Sequence, residues 1–221
     1  MIDLHTHSLL SDGVLLPSEL VQQAKKRGYK ALAITDHADA SNLEEIIRQL
    51  RRFVKSLPKD PEIDVIFGVE LTHLYPEQIP KMIKKARRLG AEIVVVHGET
   101  LVEPVPGGTN RSAIEAGADI LAHPGLITPE LVELAVQRRV MLEITTRKGH
   151  CYTNGWVAKL AKEYGAGLVI NSDAHLPDDL VDWEMAKKIA QGAGLFDADI
   201  DRLKENAQLL VKKALSRRRK K

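Results

Sequence analysis

One phrase recurs along the chain: a stretch with helical periodicity, a glycine, a short apolar run, and then a polar residue able to bind a metal. It occurs four times. Gly28 leads through Ala31-Leu32-Ala33-Ile34 to Asp36 and His37, and Gly90 through Ile93-Val94-Val95-Val96 to His97. Gly117 leads through Ile120-Leu121-Ala122 to His123, and Gly165 through Leu168-Val169-Ile170 to Asp173 and His175. Glycine just past a helix end takes the left-handed conformation without a Cβ penalty, and a continuous apolar run is what a strand buried on both faces requires. Each phrase therefore reads as a helix feeding a parallel strand. Residues 2–4 before His5, 65–69 before Glu70 and 140–144 before Thr145 fit the same strand role, which makes seven strands.

Helical stretches lie between them. Pro17-Ser18-Glu19, Pro76-Glu77 and Thr128-Pro129-Glu130 are start signals, Ser41-Asn42-Leu43-Glu44 resembles a capping box, and further helices fit 153–164, 182–192 and 199–215. Alternating β and α elements imply a parallel sheet, closed or open. A barrel brings all C-terminal strand ends to one mouth, whereas an open sheet brings only a few to its switch point. Here six strands end on candidate ligands, so the pattern predicts an α/β fold of the distorted seven-stranded (β/α)7 TIM-like barrel type.

A length of 221 residues fits one domain, taken as residues 1–215, followed by a basic tail at 216–221. Arg217, Arg218, Arg219, Lys220 and Lys221 read as a frayed, solvated helix end. With 44% hydrophobic and 28% charged residues, the composition is that of a soluble globular protein. No apolar run approaches the ~20 residues of a membrane span, and residues 1–4 do not resemble a signal peptide. Cys151 is the single cysteine, so no intramolecular disulfide is possible. These features together lead to the expectation of a cytoplasmic protein. A net charge of only +2 gives a nucleic-acid partner little support.

Six of the eight histidines, His5, His7, His37, His97, His123 and His175, fall at or just past a strand end, together with Asp36, Glu70 and Asp173. Imidazole and carboxylate are ligands of zinc, manganese and iron, and the lack of a second cysteine argues against a thiolate site. In His5-Thr6-His7 the imidazoles are two apart and share a strand face, and the same spacing holds for Asp173 and His175. So many donors exceed what one ion uses. Two or three ions sharing a carboxylate, with Glu70 as the bridge, is the economical arrangement.

These residues resemble the polymerase and histidinol phosphatase (PHP) family of metal-dependent hydrolases. The motifs, in order, are Asp3-Leu4-His5-Thr6-His7-Ser8 with Ser11-Asp12-Gly13, Ile34-Thr35-Asp36-His37, Gly68-Val69-Glu70, Val96-His97, Ala122-His123-Pro124-Gly125 and Asn171-Ser172-Asp173-Ala174-His175. The resemblance covers almost the whole chain. It implies a distorted seven-stranded barrel, up to three ions and phosphoester hydrolysis. By matching motif, His5, His7, Glu70 and Asp173 hold one ion, Glu70, His97 and His123 a second, and Asp12, His37 and His175 a third. Some members carry histidine where this chain has Asp12. Asp36, just before His37, is expected to be a supporting or strand-end group rather than a direct ligand.

The expected activity is that of a phosphatase on a small phosphomonoester, histidinol-phosphate-like or a nucleotide, with water activated by a di- or trinuclear centre. Arg147, in the basic segment after the sixth strand, is the candidate phosphate-binding cation, and His150 the candidate general acid. Asn110-Arg111 is a weaker anion candidate, and His73 and Glu99 are possible substrate contacts. Two other readings are a nucleic-acid processing or proofreading module and a phosphotyrosine-protein phosphatase.

Overall fold

The computed structural model describes residues 1–58 and 62–219. Seven parallel strands form one sheet whose neighbours follow in chain order: β1 (Ile2–Thr6), β2 (Ala31–Ile34), β4 (Asp64–Leu71), β5 (Ile93–His97), β6 (Ile120–Ala122), β7 (Met141–Thr145) and β8 (Leu168–Asn171). A two-residue strand, β3 (His37–Ala38), pairs beside the far end of β4, opposite Glu70 and Leu71. The outer layer is α1 (Pro17–Lys26), α2 (Leu43–Ser56), α3 (Ile79–Leu89), α4 (Thr109–Glu115), α5 (Pro129–Arg138), α6 (Asn154–Tyr164) and α7 (Trp183–Gly192).

The strands are mostly apolar below their C-terminal ends because both faces are covered. Alternate residues such as Leu4, Ala33, Ile66, Val95, Ile120 and Val169 fill the interior. Their neighbours Leu32, Phe67, Val94, Leu121, Leu142 and Ile170 pack outward in the larger core.

Closure between β1 and β8 is partial, and side chains replace the missing ladder. One parallel bridge joins Thr6 to Ala174, with Asp173 N donating to His5 O and His7 N to Ala174 O, both at 2.9 Å. Below it Leu4 N donates to Asn171 Oδ1 (2.8 Å) and Ser172 N to the Asp3 carboxylate (3.2 Å). The distortion expected of the barrel lies at this seam.

The opposite end is plugged. The last helix, α8 (Asp197–Arg219), places Ala207, Leu210, Val211 and Ala214 in the barrel's interior cluster, an i, i+3, i+4, i+7 stripe. This corrects two expectations. The helix does not end at 215, and two residues of its basic end are tied to the barrel rather than free in solvent: Arg217 bonds Asp119 (2.9 and 3.1 Å) and Glu92 O (2.7 Å), while Arg218 bonds Glu92 (2.5 and 2.7 Å). Asp119 and Glu92 are buried at the strand starts, and buried carboxylates need countercharges, which draw the helix end in. Lys220 and Lys221 lie outside the described residues. The capping box expected at Ser41 also does not form, since Asn42 instead bonds His37 O (3.0 Å) and Asp39 N (2.9 Å).

Candidate metal centre

Interior positions become polar at the C-terminal strand ends. On β4 the inward series Ile66, Gly68 ends in Glu70, and on β5 Ile93 and Val95 lead to His97. His123 follows β6, His37 opens β3, and Asp173 and His175 follow β8. β1 has an irregular register between Asp3 and Thr6. A bulge of this kind re-aims side chains, and here Leu4 faces the apolar interior while His5 and His7 face the mouth. His123 and Asp173 hold left-handed backbone, φ 27° and 51°, a conformation residues with a Cβ adopt mostly where the surroundings impose it. The loops after β5 and β6 cross so closely that a Cβ on Gly98 would strike Ala122 O, and one on Gly125 would strike Glu99 O. That crossing brings the His97 and His123 rings to 4.4 Å.

All eight histidines of the chain join one series of ring contacts, with centroids 4.1 to 6.4 Å apart. Among the described residues five groups offer donor atoms mutually close enough for one ion: His5, His7 and Glu70; His5, His123 and Asp173; Glu70, His97 and His123; His7, Asp12, His37 and His175; and, at the rim, His73, His97 and Glu103. The second and third groups implied by resemblance, Glu70 with His97 and His123, and Asp12 with His37 and His175, are each gathered, His7 adjoining the latter. Asp173 reaches His7 Nε2 at 3.2 Å but groups with His5 and His123.

The donors fit hard or borderline cations. Buried His5 Nε2, both nitrogens of His7, Glu70 Oε1 and His123 Nδ1 have no hydrogen-bond partner. Buried polar atoms are seldom left this way, so five in one place call for cations between them. Burial holds the His7 and His123 imidazoles well below their ordinary pKa, in the lone-pair form that ligates. Burial alone would raise Glu70, but the His5 and His37 imidazoles hold it well below the usual range. Asp173, where burial outweighs His5, is pushed up to about 7.

Supporting contacts fix the ligands. His5 Nδ1 lies 2.9 Å from Glu143 Oε1, His37 Nδ1 lies 2.6 Å from Thr72 Oγ1, and His97 Nδ1 lies 3.1 Å from Gly98 O. Asp36 accepts from Ser8 N, Ser8 Oγ and Ser11 Oγ, each at 2.7 Å, and so ties the β1 loop to β2. The sequence reading missed Glu143. It is fully buried, faces inward on β7, and also accepts from Asn171 Nδ2 (2.8 Å) and His123 N (3.2 Å). A lone acid inside the run Met141-Leu142-Glu143-Ile144 was the signal. Glu103 was missed as well.

The mouth is a cavity of about 420 Å³ whose lining includes Asp12, His37, His97, Arg147, His150 and His175. Arg147 donates from Nη1 to Asp179 (2.9 Å) and Asp173 O (3.3 Å). His150 stacks on His123 at 4.2 Å, and its Nδ1 meets Thr100 Oγ1 at 2.8 Å. Burial lowers its pKa, so less of it carries the second proton near neutral pH than in an exposed histidine. Arg111 points away to Glu130 (2.8 Å), and Asn110 and Glu99 are used in loop structure, Glu99 Oε1 accepting from Gly108 N and Asn110 N.

The family model for the PHP domain matches residues 3–102. An uncharacterised protein of Methanocaldococcus jannaschii is 50% identical, with 98% of each chain covered. A probable phosphatase of Shewanella pealeana is 27% identical over 92% of this chain and 87% of its own. Two solved structures share the fold. A chain from an archaeal ribonuclease P structure with mature tRNA has TM-score 0.70 at 18% identity, covering 97% of this chain and 90% of that one. Histidinol phosphate phosphatase from Lactococcus lactis, complexed with zinc, L-histidinol and phosphate, has TM-score 0.60 at 18% identity, covering 88% and 94%. The chain belongs to the PHP family. No helix among the described residues is long and apolar enough to cross a membrane.

Proposed function

We propose that this protein is a metal-dependent phosphoesterase that hydrolyses a small phosphomonoester at the barrel mouth. The observation that carries the reading is the set of buried, unpartnered donor atoms on His5, His7, Glu70 and His123 inside a ring of nine candidate ligands. His5, His7, Asp12, His37, Glu70, His97, His123, Asp173 and His175 would hold two or three zinc, manganese or iron ions. When bound, such ions supply Lewis-acid charge to the phosphoryl oxygens and make water nucleophilic at neutral pH.

The chain's own residues supply the rest. Glu143 and the Gly98 carbonyl hold His5 and His97 with Nδ1 turned away from the mouth, so Nε2 faces it. Arg147 lines the cavity, its Nη2 makes no hydrogen bond among the described residues, and in this reading it would take a non-bridging phosphate oxygen. In the reaction the water oxygen bonds phosphorus, the ester P–O bond breaks, and the leaving alkoxide takes a proton. The roughly 420 Å³ cavity suits a ligand of nucleotide or histidinol phosphate size. The relatives named probable phosphatases support the same reading.

The test is elemental analysis of the purified protein with phosphate release from histidinol phosphate, nucleoside monophosphates, phosphotyrosine and a single-stranded oligonucleotide. Two or three ions per chain are expected, with release from a small monoester abolished in His97→Ala and Asp173→Ala. Release surviving both substitutions would sink the reading. Preference for the oligonucleotide would move the protein to the nuclease class.

A further inference from the structure

At the rim of the mouth three imidazoles, those of the candidate ligand His97 and of His73 and His150, converge on one carboxylate outside the nine, that of Glu103. Glu103 lies in the loop after β5. Its Oε2 is 2.9 Å from His97 Nε2 and 3.1 Å from His73 Nε2, and its Oε1 is 3.3 Å from His150 Nε2. The Gly98 carbonyl faces His97 Nδ1 at 3.1 Å, so His97 presents its Nε2 edge to Glu103. Donor atoms of His73, His97 and Glu103 all lie within 4.8 Å of one another, the spread one ion can span.

We propose that His73, His97 and Glu103 form an outer divalent-cation position at the rim of the mouth, beyond the donor groups that hold the catalytic ions. It rests on the reading of the mouth as a metal centre. Glu103 and His73 side chains are each 39% exposed, so an ion arriving from solvent meets this position before the buried groups. His97 is shared, because the Glu70, His97 and His123 group uses the same imidazole. Its Nε2 can serve one ion at a time, so the outer position holds its ion through His73 and Glu103 when the inner group is filled. The outer ion is therefore the weakest bound. His73, in left-handed backbone at φ 53°, is turned toward Glu103 by that conformation.

The test uses the full chain stripped with chelator and titrated with Co²⁺, followed by visible absorption and by elemental analysis after desalting. Wild type is expected to take up one weak equivalent more than Glu103→Gln or His73→Asn, with the tighter equivalents unchanged in both variants. Both residues are partly exposed, so the chelated variants should unfold at the wild-type temperature, which separates ligand loss from damage to the fold. Equal stoichiometry and affinity in wild type and both variants would overturn the outer position and leave Glu103 as a hydrogen-bond acceptor for the histidines. Wild type that binds no Co²⁺ at all would overturn the metal centre itself.

Discussion

The two ends of the barrel bury acid side chains in opposite ways. At the strand starts, Asp119 meets Arg87, Arg217 at 2.9 Å, Lys213 at 2.9 Å and Val94 N at 2.9 Å, and Glu92 meets Arg218 and Phe67 N. Each carboxylate oxygen of Asp119 and Glu92 has a donor. At the strand ends, Glu70 and Asp173 face imidazoles at 2.8 to 3.7 Å, and ring or carboxylate atoms on His5, His7, Glu70 and His123 are left without hydrogen-bond partners. The same residue type, equally buried, is thus closed by fixed guanidinium at one end and left open for mobile cations at the other. A satisfied network stabilises, whereas an unsatisfied one persists where function requires it.

If that contrast is correct, the largest effects lie at the mouth. Glu70→Gln should lower phosphate release by at least on the order of 10³-fold, the scale of losing one electrostatic group at a reacting centre. Metal should also stabilise the two proteins differently. At a hundredfold excess over its dissociation constant an ion adds about 2.7 kcal/mol to wild type, and this increment should shrink in Glu70→Gln while persisting in Asp119→Asn. Urea unfolding with and without Mn²⁺ measures it, and equal increments in all three proteins would erase the distinction between the ends.

At the base the expected effect is on stability alone. Asp119→Asn removes the acid that neutralises Arg87, Arg217 and Lys213 and should cost about 3 kcal/mol, as breaking a buried ion pair does. The folded fraction should keep wild-type kcat/KM. A drop in kcat/KM without loss of stability would mean that the base communicates with the mouth.

Glu143 sharpens the comparison from between the two ends. It is an acid at the mouth that is closed like the base, by His5 Nδ1, Asn171 Nδ2 and His123 N. Glu143→Gln should weaken metal affinity by about 10–100-fold, the range for groups that orient metal ligands. Competition with a chelator of known affinity reads it. Affinity within twofold of wild type would assign Glu143 to structure only.

The barrel was legible because strands buried on both faces must be apolar and helices ending in left-handed glycine mark where each begins. The same regularity located His37, His97 and His123, each directly after an apolar run or its turn. What escaped was whatever broke the pattern or lay outside it. Glu143 interrupts an apolar run, and periodicity reads such a break as noise. Glu103 sits in an irregular loop whose path is set by the Gly98 and Gly125 crossing, which no local signal encodes. The base was written twice, in Gly90-Ala91-Glu92-Ile93 and Gly117-Ala118-Asp119-Ile120, but its meaning depends on arginines a hundred residues away. Arg217 and Arg218 looked like a solvated tail because charge runs usually are one.

The smallest effect is the most direct on the nature of the base. Burial would raise the Asp119 carboxyl, but Arg87, then Arg217 and Lys213, hold it well below its ordinary value of 3.8. A carboxyl depressed on folding adds stability that is complete above its unfolded pKa and is lost as pH falls through the lower folded one. The stability gap between wild type and Asp119→Asn should therefore stay constant from pH 7 to pH 5, then narrow by about 1 kcal/mol toward pH 3 as the unfolded chain takes up its proton first. Denaturant unfolding of both proteins across that range reads the gap. A gap that stays constant to pH 3 would show that Asp119 acts through hydrogen-bond geometry, and the base would then be closed by shape rather than by charge.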